Sequence, residues 1–398
     1  MDKMETALLW LSAVAAIIWI GLLLLWGQFW RADQQLGDKK SQMAELQGTW
    51  PAVAVVIPAR NEADLIERVV RSHLSQSYPG KLSILLIDDK STDKTAQIAT
   101  QTAASLNKTE ILTVLLGTAL PTGWTGKLWA LEQGFRDLQR QASPPEYVLF
   151  TDADIEHPSE NLQQLVAKAE TKKLDLVSLM VQLRTQSFWE QLLIPAFIFF
   201  FQLLYPFPWV NNPNKKTAAA AGGCVLLRFE ALSRINGLQT IRKALIDDCA
   251  LGAAVKAGGP IWLGLSNEVK SLRPYPSFRS LWQMVARSAY TQLNYSPLLL
   301  AGTVIGMALV YWTPPLGFLI GMVIGEWAIA LLGLLGWLMM ALAYWPTLRL
   351  YKSPYWMAFA LPIIALLYTL MTIDSARQYW IGGGSEWKGR IYSDRSAS

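Results

Sequence analysis

Two aspartates, Asp152 and Asp154, flank a single alanine shortly after the apolar run YVLF (147–150). Aspartate is depleted in strands, and two carboxylates held close together repel each other unless a cation lies between them. Mg²⁺ and Mn²⁺ prefer oxygen ligands and are usually bound through one or two carboxylates together with substrate phosphates. The pair therefore predicts a divalent metal site, Mg²⁺ or Mn²⁺. The alternative is a loop or a helix-capping pair.

A second acidic group follows the apolar run LSILLI (82–87). In this group, Asp88 or Asp89 can accept hydrogen bonds from a nucleobase N–H or a ribose hydroxyl. The simpler interpretation is that Ser91 or Asp93 caps the next helix, and both interpretations can be true.

The segment GWTGKLWAL (123–131) combines glycines with one basic residue, Lys127. The glycines let the backbone approach a ligand closely, and the lysine suits a phosphate or the nucleotide. The spacing is not that of a Walker A loop. A solvated lysine is the alternative.

A third acidic pair, Asp247 and Asp248, precedes a helical stretch that ends near Gly258. One of these carboxylates can act as a general base on an acceptor hydroxyl, and simple N-capping is the alternative. The preceding segment AAAAGGCVLLR (218–228) is interpreted as a strand of small residues that lets a substrate approach the sheet.

Apolar runs alternate with helical stretches along this part of the chain, which predicts an α/β domain whose parallel sheet is covered on both faces. In such sheets ligands bind at the carboxyl ends of the strands. The polar residues expected at that edge are Arg60, Glu62, Asp88, Asp89, Asp152 and Asp154.

Composition indicates a membrane protein with a water-soluble part, because hydrophobic residues make up 52% of the 398 residues and charged residues only 16%. The net charge of +5 fits a surface against anionic lipid heads but is too small to indicate nucleic acid. The two cysteines, Cys224 and Cys249, are expected to be reduced thiols. With two histidines, His73 and His157, no histidine-based zinc or haem site is expected.

Residues 7–26 form an apolar stretch long enough to cross a bilayer, interpreted as a retained anchor rather than a signal peptide. Arg31, Lys39 and Lys40 follow it, so the positive-inside rule predicts a cytoplasmic catalytic domain in a multi-pass protein of the cell membrane. The segment 188–210 contains prolines and favours an interfacial or half-buried helix over a full span.

The C-terminal part carries either two or three further spans, and the sequence leaves that number open. The expected organisation is a transmembrane anchor (1–30), a linker (31–51), the catalytic domain (52–290) with its membrane-facing insertion (188–210), C-terminal transmembrane helices (291–376) and a basic tail (377–398).

The ordered set VVIPARNE, IDDKSTDKT, GKLWAL, TDADIEHP and IDDCAL resembles family 2 glycosyltransferases over residues 52–290. The flanking anchor and the segment 273–295 look most like the hopene-associated branch of that family, near carotenoid glycosyltransferases. The resemblance implies a GT-A fold, which is a Rossmann-like, mostly parallel α/β sheet domain. It also implies a nucleotide-sugar donor, a divalent metal and inversion at the anomeric carbon.

Carried onto this chain, the resemblance implies a metal motif at Asp152 and Asp154 and a catalytic base at Asp248. The family often has Glu-Asp at that last position, and here Asp247 replaces the glutamate, which leaves open which aspartate is the base. The residues implied for the nucleotide sugar are Pro58, Arg60, Glu62, Asp88 or Asp89, Lys127 and Asp152.

One motif of processive polymer synthases, Q-x-x-R-W, is not reproduced. Its nearest counterpart has Gln283 and Arg287 one residue too far apart, with no tryptophan following. Arg287 is either an acceptor- or diphosphate-binding residue or a helix-surface arginine, and long-chain polysaccharide synthesis is not expected.

The leading hypothesis is a membrane-bound glycosyltransferase acting on a lipid hydroxyl, of hopanoid or carotenoid type. Transfer of sugar to a polyprenyl phosphate is the enzymatic alternative. A scaffold that binds nucleotide sugar without turnover is the non-enzymatic one.

Overall fold

The computed structural model describes residues 2–36, 50–381, 385–387 and 390–392. Lys39 and Lys40, on which the predicted membrane orientation partly rests, and Lys388 of the predicted basic tail lie outside these described residues. Within the described part, an eight-stranded mixed sheet is flanked by helices on both faces, and long apolar helices stand at both ends of the chain.

The strands of the large sheet are β1 (Val53–Ala59), β2 (Leu82–Asp88), β3 (Leu112–Leu116), β4 (Tyr147–Thr151), β5 (Ile155–Glu156), β6 (Leu176–Gln182), β7 (Cys224–Arg228) and β8 (Ile261–Ser271). Its spatial order is β3-β2-β1-β4-β7-β6-β8-β5. Two short strands, β9 (Ser385–Trp387) and β10 (Arg390–Tyr392), pair separately.

Helix α1 (Lys3–Leu25) precedes the sheet. The helices between β1 and β8 are α2 (Ile66–Leu74), α3 (Thr95–Ser105), α4 (Gly126–Gln139), α5 (Asn161–Thr171), α6 (Phe188–Leu204), α7 (Phe207–Val210), α8 (Phe229–Arg234) and α9 (Asp247–Lys256). Those that follow β8 are α10 (Phe278–Ala286), α11 (Ala289–Gln292), α12 (Pro297–Met307), α13 (Thr313–Ile324), α14 (Trp327–Leu350) and α15 (Leu361–Ile381).

The sequence pattern of β1 explains why it lies at the centre of the sheet. All seven of its residues are buried, as expected for a strand covered on both faces. Ala54 and Val56 pack into the core cluster that contains α4, whereas Val53, Val55 and Ile57 pack into the cluster that contains α2 and α3. This period of two follows from the alternating direction of strand side chains.

Four of the seven strand pairings in the described large sheet are parallel, and these include the β3-β2-β1-β4 run that the alternating apolar segments predict. The mostly parallel α/β sheet is therefore confirmed. The antiparallel member inside the sheet is β7, which pairs with both β4 and β6 in the opposite direction. The chain enters β7 from the carboxyl edge of β4, because Thr151 pairs with Cys224.

The prediction of a strand over 218–228 is wrong for its first half, since only Cys224–Arg228 is a strand. Backbone N–H groups of the first half are taken by side chains instead of a neighbouring strand. The Ala221 N–H donates to Ser178 Oγ at 2.8 Å, and the Gly222 N–H donates to Asp248 Oδ2 at 3.0 Å. This segment therefore crosses the edge of the sheet rather than extending it.

Four helical segments of the described residues are long and apolar enough to cross a membrane: Lys3–Leu25, Pro297–Ile324, Trp327–Leu350 and Tyr355–Ile381. Three of them follow the sheet domain, and the last ends five residues beyond the boundary expected from the sequence at 376. The segment 188–210 forms a 17-residue helix, α6, with Pro195 inside it, followed by the short α7.

Helix α6 packs between the sheet domain and the apolar helices. The Phe199 ring lies 5.3 Å from that of Tyr344 in α14, and the Tyr368 hydroxyl of α15 donates to the Leu193 carbonyl at 2.9 Å. The apolar helices are thus joined directly to the domain through α6.

Candidate active site

Parallel strands bring the acidic groups of the sequence to one edge of the sheet. Ala59 at the end of β1 pairs with Asp88 at the end of β2, and Phe150 near the end of β4 pairs with Val56. The loops that follow these three strands therefore start side by side, as expected for a ligand site at the carboxyl ends of strands.

The loop after β1 is hydrogen-bonded to the loop after β2. Arg60 Nη1 donates to the Asp89 carbonyl at 2.7 Å and lies 4.0 Å from the Asp89 carboxylate. The Thr92 N–H donates to Asn61 Oδ1, and the Glu62 N–H donates to Thr95 Oγ1. These contacts hold the two loops predicted to bind the nucleotide in a fixed relation.

Several of the residues predicted to bind the nucleotide are buried. Asp88 and Asp89 are buried, and Pro58 is buried inside β1 opposite Ile87. Asp88 Oδ1 also accepts from the Ser91 N–H at 3.1 Å. The capping interpretation applies as well, because Asp93 Oδ1 accepts from the N–H of Thr95 in the first turn of α3.

Lys127 lies at the centre of an acidic cluster formed by three segments. Its Nζ lies 2.8 Å from Asp152 Oδ1 and 3.7 Å from Asp247 Oδ2, and the Asp248 charge also acts on it. Burial alone would lower the pKa of the Lys127 ammonium, but these carboxylates raise it well above its ordinary value. Lys127 is therefore a fixed cation shared by three aspartates.

The carboxylates of this cluster carry excess negative charge. Burial raises the pKa of Asp248 to about 6, and repulsion by Asp247 adds to the effect against the opposing influence of Lys127. Burial also raises the pKa of Asp152, with Lys127 opposing and Asp154 adding to the shift. One ammonium among three carboxylates leaves a site that favours further positive charge.

The second member of the acidic pair points to a different partner. Arg273 Nε donates to Asp154 Oδ2 at 2.5 Å, and Arg273 Nη2 donates to Glu62 Oε1 at 2.9 Å. Asp154 and Glu62 are buried. Sequence reasoning missed Arg273, although an arginine directly before a proline at the end of a strand (RPYP, 273–276) was a visible signal.

Arg287 lies at the end of α10 on the same side of the molecule. It is exposed, and its charge acts on Tyr275 together with the charges of Arg273, Asp154 and Asp152. Burial raises the pKa of the Tyr275 hydroxyl. Arg287 and the acidic pair therefore both act on Tyr275.

The buried His157, which sequence reasoning also missed as a site residue, contacts Thr151 at the end of β4, just before the acidic pair. His157 lies 2.9 Å through Nε2 from Thr151 Oγ1 and 2.9 Å through Nδ1 from Asn161 Nδ2. Its ring lies 4.5 Å from that of His73, whose pKa burial lowers to about 3. A neutral His73 therefore packs against His157 beneath the site.

Glycines let the backbone approach the cluster. A Cβ on Gly222 would lie 3.0 Å from Lys127 Nζ and 3.5 Å from the Asp248 carboxylate. Because that carboxylate also accepts from the Gly222 N–H, the close approach is itself part of the site. The small-residue segment thus approaches the acidic cluster as a loop, although it was predicted as a strand.

Part of the chain matches a known protein family. Residues 54–235 match the family model described as Glycosyl transferase family 2. The fold is similar to that of the mannosyltransferase PcManGT from Pyrobaculum calidifontis, solved in complex with GDP-Man and Mn²⁺, with a TM-score of 0.54 over 93% of this chain and 99% of that one, at 19% identity. Residues 54–235 are thus similar to family 2 glycosyltransferases, and the mixed sheet is of the GT-A type.

Curated relatives match over shorter stretches. A beta-monoglucosyldiacylglycerol synthase from Nostoc sp. is 33% identical over 134 residues, which are 33% of this chain and 26% of that protein. The glycosyltransferase AglE from Haloferax volcanii is 38% identical over 68 residues, which are 17% of this chain and 22% of that protein. The match to each of these two relatives thus covers about a quarter of that relative's length.

Proposed function

We propose that this chain is a membrane-bound, inverting glycosyltransferase that moves a sugar from a nucleotide-diphosphate sugar to a hydroxyl group of a lipid. The observation that carries the proposal is the cluster of Asp152, Asp247 and Asp248 around Lys127 at the carboxyl edge of a family 2 domain. A cation beside several carboxylates at that edge suits a reaction in which a diphosphate must leave.

The donor would lie across the loops that follow β1, β2 and β4. Lys127 meets the diphosphate as a point charge, and Asp88 or Asp89 lies near the base and ribose. The other residues assigned to the nucleotide sugar are Pro58, Arg60, Glu62, Asp152 and Arg287.

The donor set at the acidic pair fits a divalent cation that is completed by substrate oxygens. Within the described residues, no group of three or more His, Cys, Asp or Glu side chains is arranged to hold a metal by itself. Asp152 is one-third exposed and belongs to a cluster with excess negative charge, so it can share a cation with phosphate oxygens, as Mg²⁺ sites commonly do. Asp152 and Asp154 would hold Mg²⁺ or Mn²⁺, which would supply positive charge to balance the diphosphate leaving group.

Asp248 is the better candidate for the general base. A carboxylate with a pKa of about 6 is ionised at neutral pH and still binds a proton more tightly than an ordinary aspartate. Hydrogen bonds from the Gly222 and Cys249 N–H groups fix its orientation. Asp247 instead directs its Oδ2 towards the Lys127 ammonium, at 3.7 Å. Asp248 takes the acceptor proton as the hydroxyl attacks the anomeric carbon from the face opposite the diphosphate.

The proposed acceptor is a lipid because apolar helices adjoin the domain. Four segments of the described residues can cross a bilayer by length and composition, and α6 contacts two of them, in α14 and α15. The relative from Nostoc named as a glucosyldiacylglycerol synthase supports a lipid acceptor, and the resemblance to the hopene-associated branch suggests a hopanoid- or carotenoid-like alcohol. Arg31 directly after the first span supports a catalytic domain on the cytoplasmic side of the cell membrane.

Incubation of the purified full chain with labelled nucleotide sugars and total membrane lipid tests the proposal. We expect one donor to give a glycolipid, identified by mass, whose formation stops on addition of a chelator and resumes with Mg²⁺ or Mn²⁺. Asp152→Asn should prevent product formation. A product on polyprenyl phosphate would identify the other acceptor class, and nucleotide binding without turnover on any lipid would contradict a catalytic role.

A further inference from the structure

A short segment after β8, residues 272–277, crosses the acidic pair and is called the clasp below. The Leu272 N–H donates to the Asp154 carbonyl at 2.8 Å. The next residue, Arg273, donates through Nε to the Asp154 carboxylate and through Nη2 to the Glu62 carboxylate. The clasp therefore holds both the backbone and the side chain of Asp154.

The charges at this point require a cation. The side chains of Asp154 and Glu62 are each only 9% exposed, so their negative charges are poorly screened by water. The guanidinium of Arg273 provides this positive charge at both carboxylates. The guanidinium directs two different N–H groups at two carboxylates, which a single lysine ammonium does with much less directional control.

The other part of the clasp is tied to the helix that contacts the apolar segments. The Tyr275 N–H donates to Glu190 Oε1 at 2.8 Å, and Glu190 Oε2 accepts from the N–H groups of Gln186 and Ser187. Glu190 is fully buried and forms the capping box of α6 with Ser187. Three backbone N–H groups on one carboxylate fix the clasp relative to α6.

The clasp then leads into α10. Ser277 caps that helix by accepting from the Ser280 N–H, and Phe278 in its first turn packs 4.7 Å from the Trp189 ring of α6. The second half of the clasp is therefore held by Glu190 of α6 and continues into α10, both of which adjoin the apolar helices. Arg273, in its first half, faces the acidic pair.

We infer that Arg273 is a positioning residue, which holds Asp154 in the orientation in which the acidic pair receives a divalent cation. The inference rests on the proposed function, and it deepens it by assigning an organising residue to the metal motif. Carboxylates that bind metals are themselves held by hydrogen bonds, and loss of such a partner typically lowers metal affinity or activity roughly 10–100-fold.

The test uses the full chain in detergent or nanodiscs and measures Mn²⁺ binding by electron paramagnetic resonance, with UDP and separately with GDP. We expect Arg273→Gln to weaken Mn²⁺ binding roughly 10–100-fold and Arg273→Lys to weaken it less. The matched control is Arg234→Gln, because Arg234 forms a comparable ion pair with Asp175 at 2.5 Å, before β6 and at the opposite edge of the sheet.

The outcomes separate the inference from the function on which it rests. If Arg273→Gln binds Mn²⁺ as tightly as Arg234→Gln, or more tightly than the unaltered chain, Arg273 does not position the acidic pair. If Arg273→Gln does not fold, Arg273→Lys and Glu62→Gln carry the same comparison. Failure of the proposed function would appear elsewhere, as an unaltered chain that transfers no sugar from any donor.

Discussion

The ammonium of Lys127 lies 2.8 Å from a carboxylate oxygen of Asp152, which joins the first turn of α4 to the residue that follows β4. The same ammonium lies 3.7 Å from Asp247 at the start of α9. One cation thus connects three segments that are far apart in the sequence. Its removal should disturb the charge balance of the site much more than the fold.

Replacement of Lys127 by methionine should lower the transfer rate by roughly 100- to 1,000-fold, because the leaving diphosphate loses a fixed positive charge. The measurement is kcat for the donor identified in the panel. Lys81→Met is the control, since Lys81 is exposed at the start of β2, at the edge opposite the site. Equal rates for the two variants would show that Lys127 has no part in the reaction.

Replacement of Asp248 by asparagine should lower kcat by roughly 10²- to 10⁴-fold, because an amide cannot accept the proton of the acceptor hydroxyl. In the unaltered chain, kcat should fall as the pH drops below about 6, where Asp248 becomes protonated. Asp247→Asn is the paired variant, expected to keep a low-pH limb but at lower pH, because the repulsion by Asp247 that raises the pKa of Asp248 is removed. If Asp247→Asn abolishes the low-pH limb while Asp248→Asn leaves it in place, the base assignment must be exchanged.

Asp248→Asn should lower the transfer rate but raise the free energy of unfolding at alkaline pH. Because the folded-state pKa of Asp248 is raised from 3.8 to about 6, this group's stabilising contribution is present below about pH 4 and is lost as the pH rises through 6. Asp248→Asn should therefore stabilise the fold at pH 8, by about 1–2 kcal/mol after allowance for partial exposure, and less at pH 5.

Thermal unfolding at pH 5 and pH 8 measures this difference in stability. The exposed Glu110→Gln provides the control for a general loss of negative charge. A lower unfolding temperature for Asp248→Asn at pH 8 than for the unaltered chain would contradict the raised pKa.

The sequence predicted β1, β2 and β4 because each is a mostly apolar run followed by polar residues, as expected for a buried parallel strand. It also placed Lys127, Asp152, Asp247 and Asp248 as separate site residues. Their grouping around one ammonium was not visible, because it depends on how α4 and α9 pack against the sheet.

Two features needed the tertiary structure. Arg273 is 119 residues from Asp154 in the sequence, and only the pairing of β5 with β8 brings the two together. The segment 218–223 was predicted as part of a strand, but it consists of alanine and glycine, and Ser178 and Asp248 accept two of its N–H groups. Local propensity could not foresee contacts with such distant side chains.

The last prediction concerns the close approach of Gly222 to the acidic cluster. A methyl group there would lie 3.0 Å from the Lys127 ammonium, so Gly222→Ala should displace the lysine from Asp152 and lower kcat by up to roughly 100-fold, with little loss of stability. Gly302→Ala is the control, since no atom lies within 4 Å of the added methyl group in α12. Unchanged kcat in Gly222→Ala would mean that the geometry around Lys127 tolerates displacement and that its contact with Asp152 does not limit the reaction.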